Sequence, residues 1–220
     1  MSELALKLIA ENKKTKAPFL DLGNCGLVNY LPDELFDCDW LEELNLGQSF
    51  ISRSEVHDEY KDVSNIIANE GKENVILETE YVHLLKLDKL ISLGIGNANI
   101  SNIQFIASFE KLEYLYLAHN RILDISYLKN LKNLKSLYLW DNNINTINAL
   151  SELVDLEVLH LGMNNIDNID NLKKLDKLVS LFLWSNPISK CDILKEIQSL
   201  KYLFLSDTKI KNFNFLRNDN

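Results

Sequence analysis

The sequence predicts an α/β solenoid: a right-handed superhelix with a parallel β-sheet on its concave face, an irregular 3₁₀ convex side and a short N-terminal helix. Three observations carry this expectation. Leu90, Leu112, Leu134, Leu156, Leu178 and Leu200 stand 22 residues apart, and so regular a period marks a repeat array. Each period contains L-x-L, or L-x-I at Leu93 and Ile95, the alternation of a short strand with one buried face. After the strand, apolar residues recur at every third position, as in Ile122, Ile125, Leu128 and Leu131. That spacing fits 3₁₀ turns at about 3 residues per turn better than an α-helix at about 3.6.

The elements follow in sequence order. Residues 1–16 read as a capping helix, N-capped by Ser2, with Leu4, Ala5, Leu8 and Ile9 on one face and a basic end at Lys13, Lys14 and Lys16. Such a helix covers the open end of an array, which terminal repeats require. Residues 17–220 read as repeats. Leu20, Leu22, Cys25 and Leu27 form a first unit, followed by the descent Leu31-Pro32-Asp33-Glu34-Leu35-Phe36. Leu41, Leu44, Leu46 and Ile51 begin a second, and register then lapses until Leu84, Leu87 and Leu90. An acidic insertion is therefore expected at about 52–80, either as a tolerated surface loop or as a loop that helps bind a partner.

From Leu112 the columns repeat fully. Leu112, Leu115, Leu117, Asn120, Ile122, Ile125, Leu128 and Leu131 recur as Leu134, Leu137, Leu139, Asn142, Ile144, Ile147, Leu150 and Leu153, and twice more to Ile197. Asn120, Asn142, Asn164 and Asn186 stand where the backbone leaves the sheet and would bury unpaired polar groups. Their amides are expected to form a ladder between turns, with Cys25 in the same column. This is the L-x-x-L-x-L-x-x-N-x-I pattern, and on it the protein resembles the leucine-rich-repeat superfamily, over about 84–216 and more loosely over 17–51. The 22-residue length with triplet spacing is similar to the class found in regulatory subunits of type-1 protein phosphatase and in bacterial internalins.

Composition narrows the function. A protein of 220 residues, 46% hydrophobic, can fill an extended core, and its formal net charge of −9 argues against nucleic acid as a partner. Three cysteines make no complete disulfide framework. Neither a signal-like apolar run nor about 20 consecutive apolar residues occurs, so a cytoplasmic protein without membrane insertion is expected.

Function is expected on the outward strand positions, which alternation sends to the concave face. The residue between the second and third leucines reads Gly94, Tyr116, Tyr138, His160, Phe182 and Phe204; the residue after the third reads Gly96, Ala118, Trp140, Gly162, Trp184 and Ser206. Tyr114 and Tyr202 precede the second leucine. Eight of the Phe, Tyr and Trp side groups thus share one face, and a large exposed apolar patch marks an interaction surface. Its centre is expected at Gly162, between Trp140 and Trp184 at roughly 10 Å across two strand spacings, with His160 alongside. His119 and Asp141 share the next column and are positioned to pair at the rim. The internalin resemblance implies the same role, because that family binds host receptors through aromatic residues on these concave positions.

The expected partner is another protein, with the domain acting as scaffold, adaptor or regulatory subunit. Carbohydrate binding through the planar rings and self-assembly are the alternatives, the latter as a homodimer through the strand edge near Lys201 to Leu205. Catalysis has little support. Beyond His119 and Asp141 no third group is close, and no G-x-S-x-G, H-E-x-x-H, C-x-x-C or phosphate-loop motif occurs. No cofactor or metal is expected.

Overall fold

The computed structural model describes residues 2–48 and 69–212. Among the described residues ten short strands alternate with turns. Strands β1 (Phe19–Asp21), β3 (Glu43–Asn45), β5 (Ser92–Gly94), β6 (Tyr114–Tyr116), β7 (Ser136–Tyr138), β8 (Val158–His160), β9 (Ser180–Phe182) and β10 (Tyr202–Phe204) form one parallel sheet in sequence order. β2 (Val28–Asn29) and β4 (Val75–Ile76) make a separate parallel pair. In the main sheet Leu115, Leu137, Leu159 and Leu181 lie opposite one another across successive strands. They are buried, and the residues flanking them project from the other face, as period-2 geometry requires.

The convex side is built from five-residue 3₁₀ turns at Gln104–Ser108, Ser126–Asn130, Asn148–Glu152, Asp170–Lys174 and Asp192–Glu196. They insert Ile106, Leu128, Leu150 and Leu172 into the core, and the last inserts both Ile193 and Leu194. Helix α1 (Glu3–Thr15) starts where expected, with Ser2 Oγ accepting from Ala5 N at 3.3 Å. Ala5 and Ile9 join the main core. Buried Asn12 ties the helix to the first repeat. Its Nδ2 donates to Ala17 O and Phe19 O at 3.1 and 3.0 Å, and its Oδ1 accepts from Trp40 Nε1 at 2.9 Å.

The asparagine ladder is present. Asn142 Oδ1 accepts from Ile122 N of the preceding turn at 3.0 Å, and its Nδ2 donates to Leu117 O and Leu139 O, each at 3.0 Å. Asn120, Asn164 and Asn186 repeat the arrangement. One residue before each rung position the backbone turns off the sheet in the left-handed region, with φ from 50° to 55° at Asn24, Asn97, His119, Asp141, Met163, Ser185 and Asp207. Asn, Asp and His tolerate that conformation better than most residues.

The expected insertion at 52–80 needs correction at its C-terminal boundary. Asn74 is already a ladder rung: its Oδ1 accepts from Cys25 N and Leu27 N at 3.1 and 2.9 Å, and its Nδ2 donates to Leu22 O and Leu46 O at 2.7 and 2.9 Å. Ile76 is buried in the core and pairs with β2. The register therefore resumes at Asn74, and a long 3₁₀ segment, Glu78–Lys86, leads down to Leu87. Asn69 serves the turn whose own column holds Cys25, donating to Asp21 O and Gly23 O at 3.1 and 2.9 Å. Residues 52–68 and the final turn at Phe213, Phe215 and Leu216 lie outside the described residues. Cys25, Cys38 and Cys191 are free and buried, and burial pushes the Cys25 thiol up to about 11.

Candidate partner-binding face

The concave side groups meet as two aromatic files. Along the strands Tyr116 packs on Tyr138 with ring centroids 5.6 Å apart, and Tyr138 on His160 at 6.4 Å. His160 stacks on Phe182 at 4.5 Å within 2° of parallel, and Phe182 on Phe204 at 4.5 Å within 5°. The spacing of parallel strands, about 4.8 Å, sets such stacking, because equivalent positions superimpose from one turn to the next. In the second file His119 sits edge-on to Trp140 at 3.9 Å, and Trp140 is 6.3 Å from Trp184. Both tryptophans also touch His160, at 5.6 and 6.2 Å.

Two expectations for this face are overturned. The rings are not uniformly open to solvent: Tyr116 is 2% exposed, Tyr138 and His160 8%, and Trp140 9%. They bury one another, and with Ala118 three of them form a second apolar cluster that Phe19, Val158 and Trp184 pack against. Tyr114, Phe182, Trp184, Tyr202 and Phe204 remain half-buried. Nor is there an open notch at Gly162. A Cβ there would meet Trp184 Cε2 and Nε1 at 2.5 Å, so the indole lies on the glycine and fills the space expected between the two tryptophans.

Packing this tight has electrostatic consequences. Burial pushes His160 down to about 3 from its ordinary 6.5, so the imidazole is neutral, and it raises the Tyr138 phenol. Among the described residues, Trp140 Nε1 and His160 Nδ1 are buried side-chain atoms without a hydrogen-bond partner. An unmet buried group costs roughly 1–3 kcal/mol, so both stand out among the buried side-chain polar atoms of the described residues. The rim is charged and paired. His119 Nδ1 lies 2.6 Å from Asp141 Oδ2, as the shared column predicted, and Lys135 Nζ donates to Glu113 Oε2 at 2.8 Å.

Residues the sequence reading missed are Asn69 and Asn74, which hold the first two turns in register, and Val158 and Phe19, which pack at the edge of the aromatic layer. Asn74-Val75-Ile76 repeats the N-x-I of Asn120-Arg121-Ile122, and that signal was available. Among the described residues no three His, Cys, Asp or Glu side groups gather to hold a metal ion, and no helix is long and apolar enough to cross a membrane.

Fold and face together define a leucine-rich-repeat domain, a class that generally binds proteins. Leucine-rich-repeat family profiles match residues 111–131 (one repeat) and 132–174 (two copies). No curated protein sequence matches significantly. Among solved structures, internalin C2 of Listeria monocytogenes is similar with a TM-score of 0.78 and 23% identity, over 99% of this protein and 89% of that one. A second Listeria monocytogenes internalin, inlF, gives 0.71 and 25%, over 95% of this protein and 60% of the other. A leucine-rich-repeat protein of Leptospira interrogans gives 0.65 and 25%, over 90% and 52%. The molecule is a leucine-rich-repeat protein that resembles the Listeria internalins in fold.

Proposed function

We propose that the concave aromatic layer is the surface through which this domain docks another protein. The carrying observation is the continuous run of rings from Tyr116 through Tyr138, His160 and Phe182 to Phe204. Tyr114, Phe182, Trp184, Tyr202 and Phe204, at its border, keep part of their surface open. Aromatic groups of this kind, rigid and partly apolar, anchor protein interfaces. His119–Asp141 and Lys135–Glu113 form a polar rim that tunes encounter rate and partner choice more than affinity.

Ring orientation favours a protein over a sugar. His160, Phe182 and Phe204 are stacked face to face along the sheet, so their faces cover one another, whereas a sugar ring needs a free aromatic face. The test is affinity capture with the wild-type domain against a Trp140→Ala/Phe182→Ala variant of unchanged circular dichroism. A captured protein should be lost from the variant. Equal retention would place the docking surface elsewhere, and capture of a second copy, seen as a mass increase in light scattering, would favour self-assembly.

A further inference from the structure

Taking the concave face as a protein-docking surface, we propose that Trp140 and His160 receive the backbone carbonyl and amide of one residue in an extended partner segment, with Trp184 as the gate over them.

Trp140 Nε1 and His160 Nδ1 are both buried and unpartnered, on rings 5.6 Å apart. Their chemistry is complementary. An indole nitrogen can only donate, while a neutral imidazole carries one acceptor nitrogen, and burial keeps this imidazole neutral. With the imidazole proton on Nε2, Nδ1 is the acceptor, and in that tautomer the pair asks for one acceptor and one donor. An extended segment offers both from a single residue, whose N–H and C=O point to the same side of the strand, as in the hydrogen-bonded pairs of an antiparallel ladder. A carboxylate would satisfy the indole and leave the imidazole acceptor unmet; an ammonium would do the reverse.

Access runs through Trp184. Its indole lies on Gly162 and touches both Trp140 and His160. It is half-buried, whereas Trp140 is held from its other side by His119 at 3.9 Å and His160 by Phe182 at 4.5 Å. Trp184 is thus a half-buried ring that lies against both, and Gly162 presents no side group beneath it. Outward rotation leaves a slot walled by Trp140 and His160 and floored by backbone. Gly162 O is already bonded to Asp141 N at 3.0 Å, so the two orphaned side-chain atoms supply the polar recognition.

The probe is a displayed library of linear random peptides panned on the whole protein, with binders resynthesised and N-methylated at each backbone position in turn. Binders should shift the Trp140 indole N–H resonance. Methylation at one position should weaken binding about tenfold in the wild type and not in His160→Phe, which keeps the stack on Phe182 but lacks the nitrogen. Trp140→Phe provides the matching test for the carbonyl, and Trp184→Ala should tighten binding several-fold by removing the closed state. Peptides that reach the concave rings without shifting the Trp140 N–H, or without coupling to His160, would overturn this proposal and leave the docking surface standing. Weaker binding by Trp184→Ala would make that indole a contact and not a gate. Glycans enriched on the face with no peptide selected would overturn both readings.

Discussion

The Trp184 indole rests on Gly162, so close that a Cβ at position 162 would fall 2.5 Å from two of its ring atoms. Gly162→Ala should therefore drive the indole outward, changing near-UV circular dichroism and tryptophan fluorescence. The overpacking should cost about 1–3 kcal/mol in urea unfolding. In a Trp184→Ala background the same glycine change should be nearly neutral, because the clashing partner is gone. Equal costs in the two backgrounds would refute the contact.

The ladder makes Asn142 and Asn74 equivalent despite their different settings. Each accepts from backbone N–H of the preceding turn and donates to two carbonyls. Replacing either with alanine strands several buried groups and should cost about 3 kcal/mol or more. Exposed Asn143 replaced in the same way should stay within about 0.5 kcal/mol. A mild Asn74→Ala variant would mean that the second repeat is held by other contacts.

His160 should impose a pH dependence on stability. Its pKa is depressed, from 6.5 to about 3, so between those values the unfolded state binds a proton that the folded state does not. Stability is then intact above pH 6.5 and falls with acidification by up to about 1.4 kcal/mol per pH unit. Going from pH 7 to pH 5, the wild type should lose about 2 kcal/mol more than His160→Phe in matched urea titrations. Parallel losses would show an imidazole that titrates normally.

Met163 occupies the left-handed column at φ 50° with its side group exposed. Left-handed backbone costs an ordinary residue roughly 1–2 kcal/mol. Met163→Asn or Met163→Gly should raise the thermal midpoint, by about 0.5–1 kcal/mol of stability, with no change in the sheet by circular dichroism. A lower midpoint would indicate that the methionine makes a contact worth more than the strain.

The solenoid was legible because its cause is periodic. Leu115, Leu137, Leu159 and Leu181 repeat at 22 residues and end opposite one another, and Asn120 through Asn186 repeat with them. The second turn was harder to read. Its rung, Asn74, follows a long interruption and precedes a descent lengthened to Glu78–Lys86, so counting back from Leu90 misses it while its hydrogen bonds identify it.

At the candidate site the sequence alone determined which residues share the concave face, since alternation in a strand leaves no other choice. It also determined that His119 and Asp141 meet, because equal columns in neighbouring turns are one strand spacing apart. Only the tertiary structure decided how that face is filled. Ring rotation about χ1 and χ2 is not coded by period, and packing across turns chose it: Tyr116, Tyr138, Trp140 and His160 bury one another, and Trp184 folds back over Gly162, which has no side group to oppose it. The same packing took two nitrogens out of water without giving them partners.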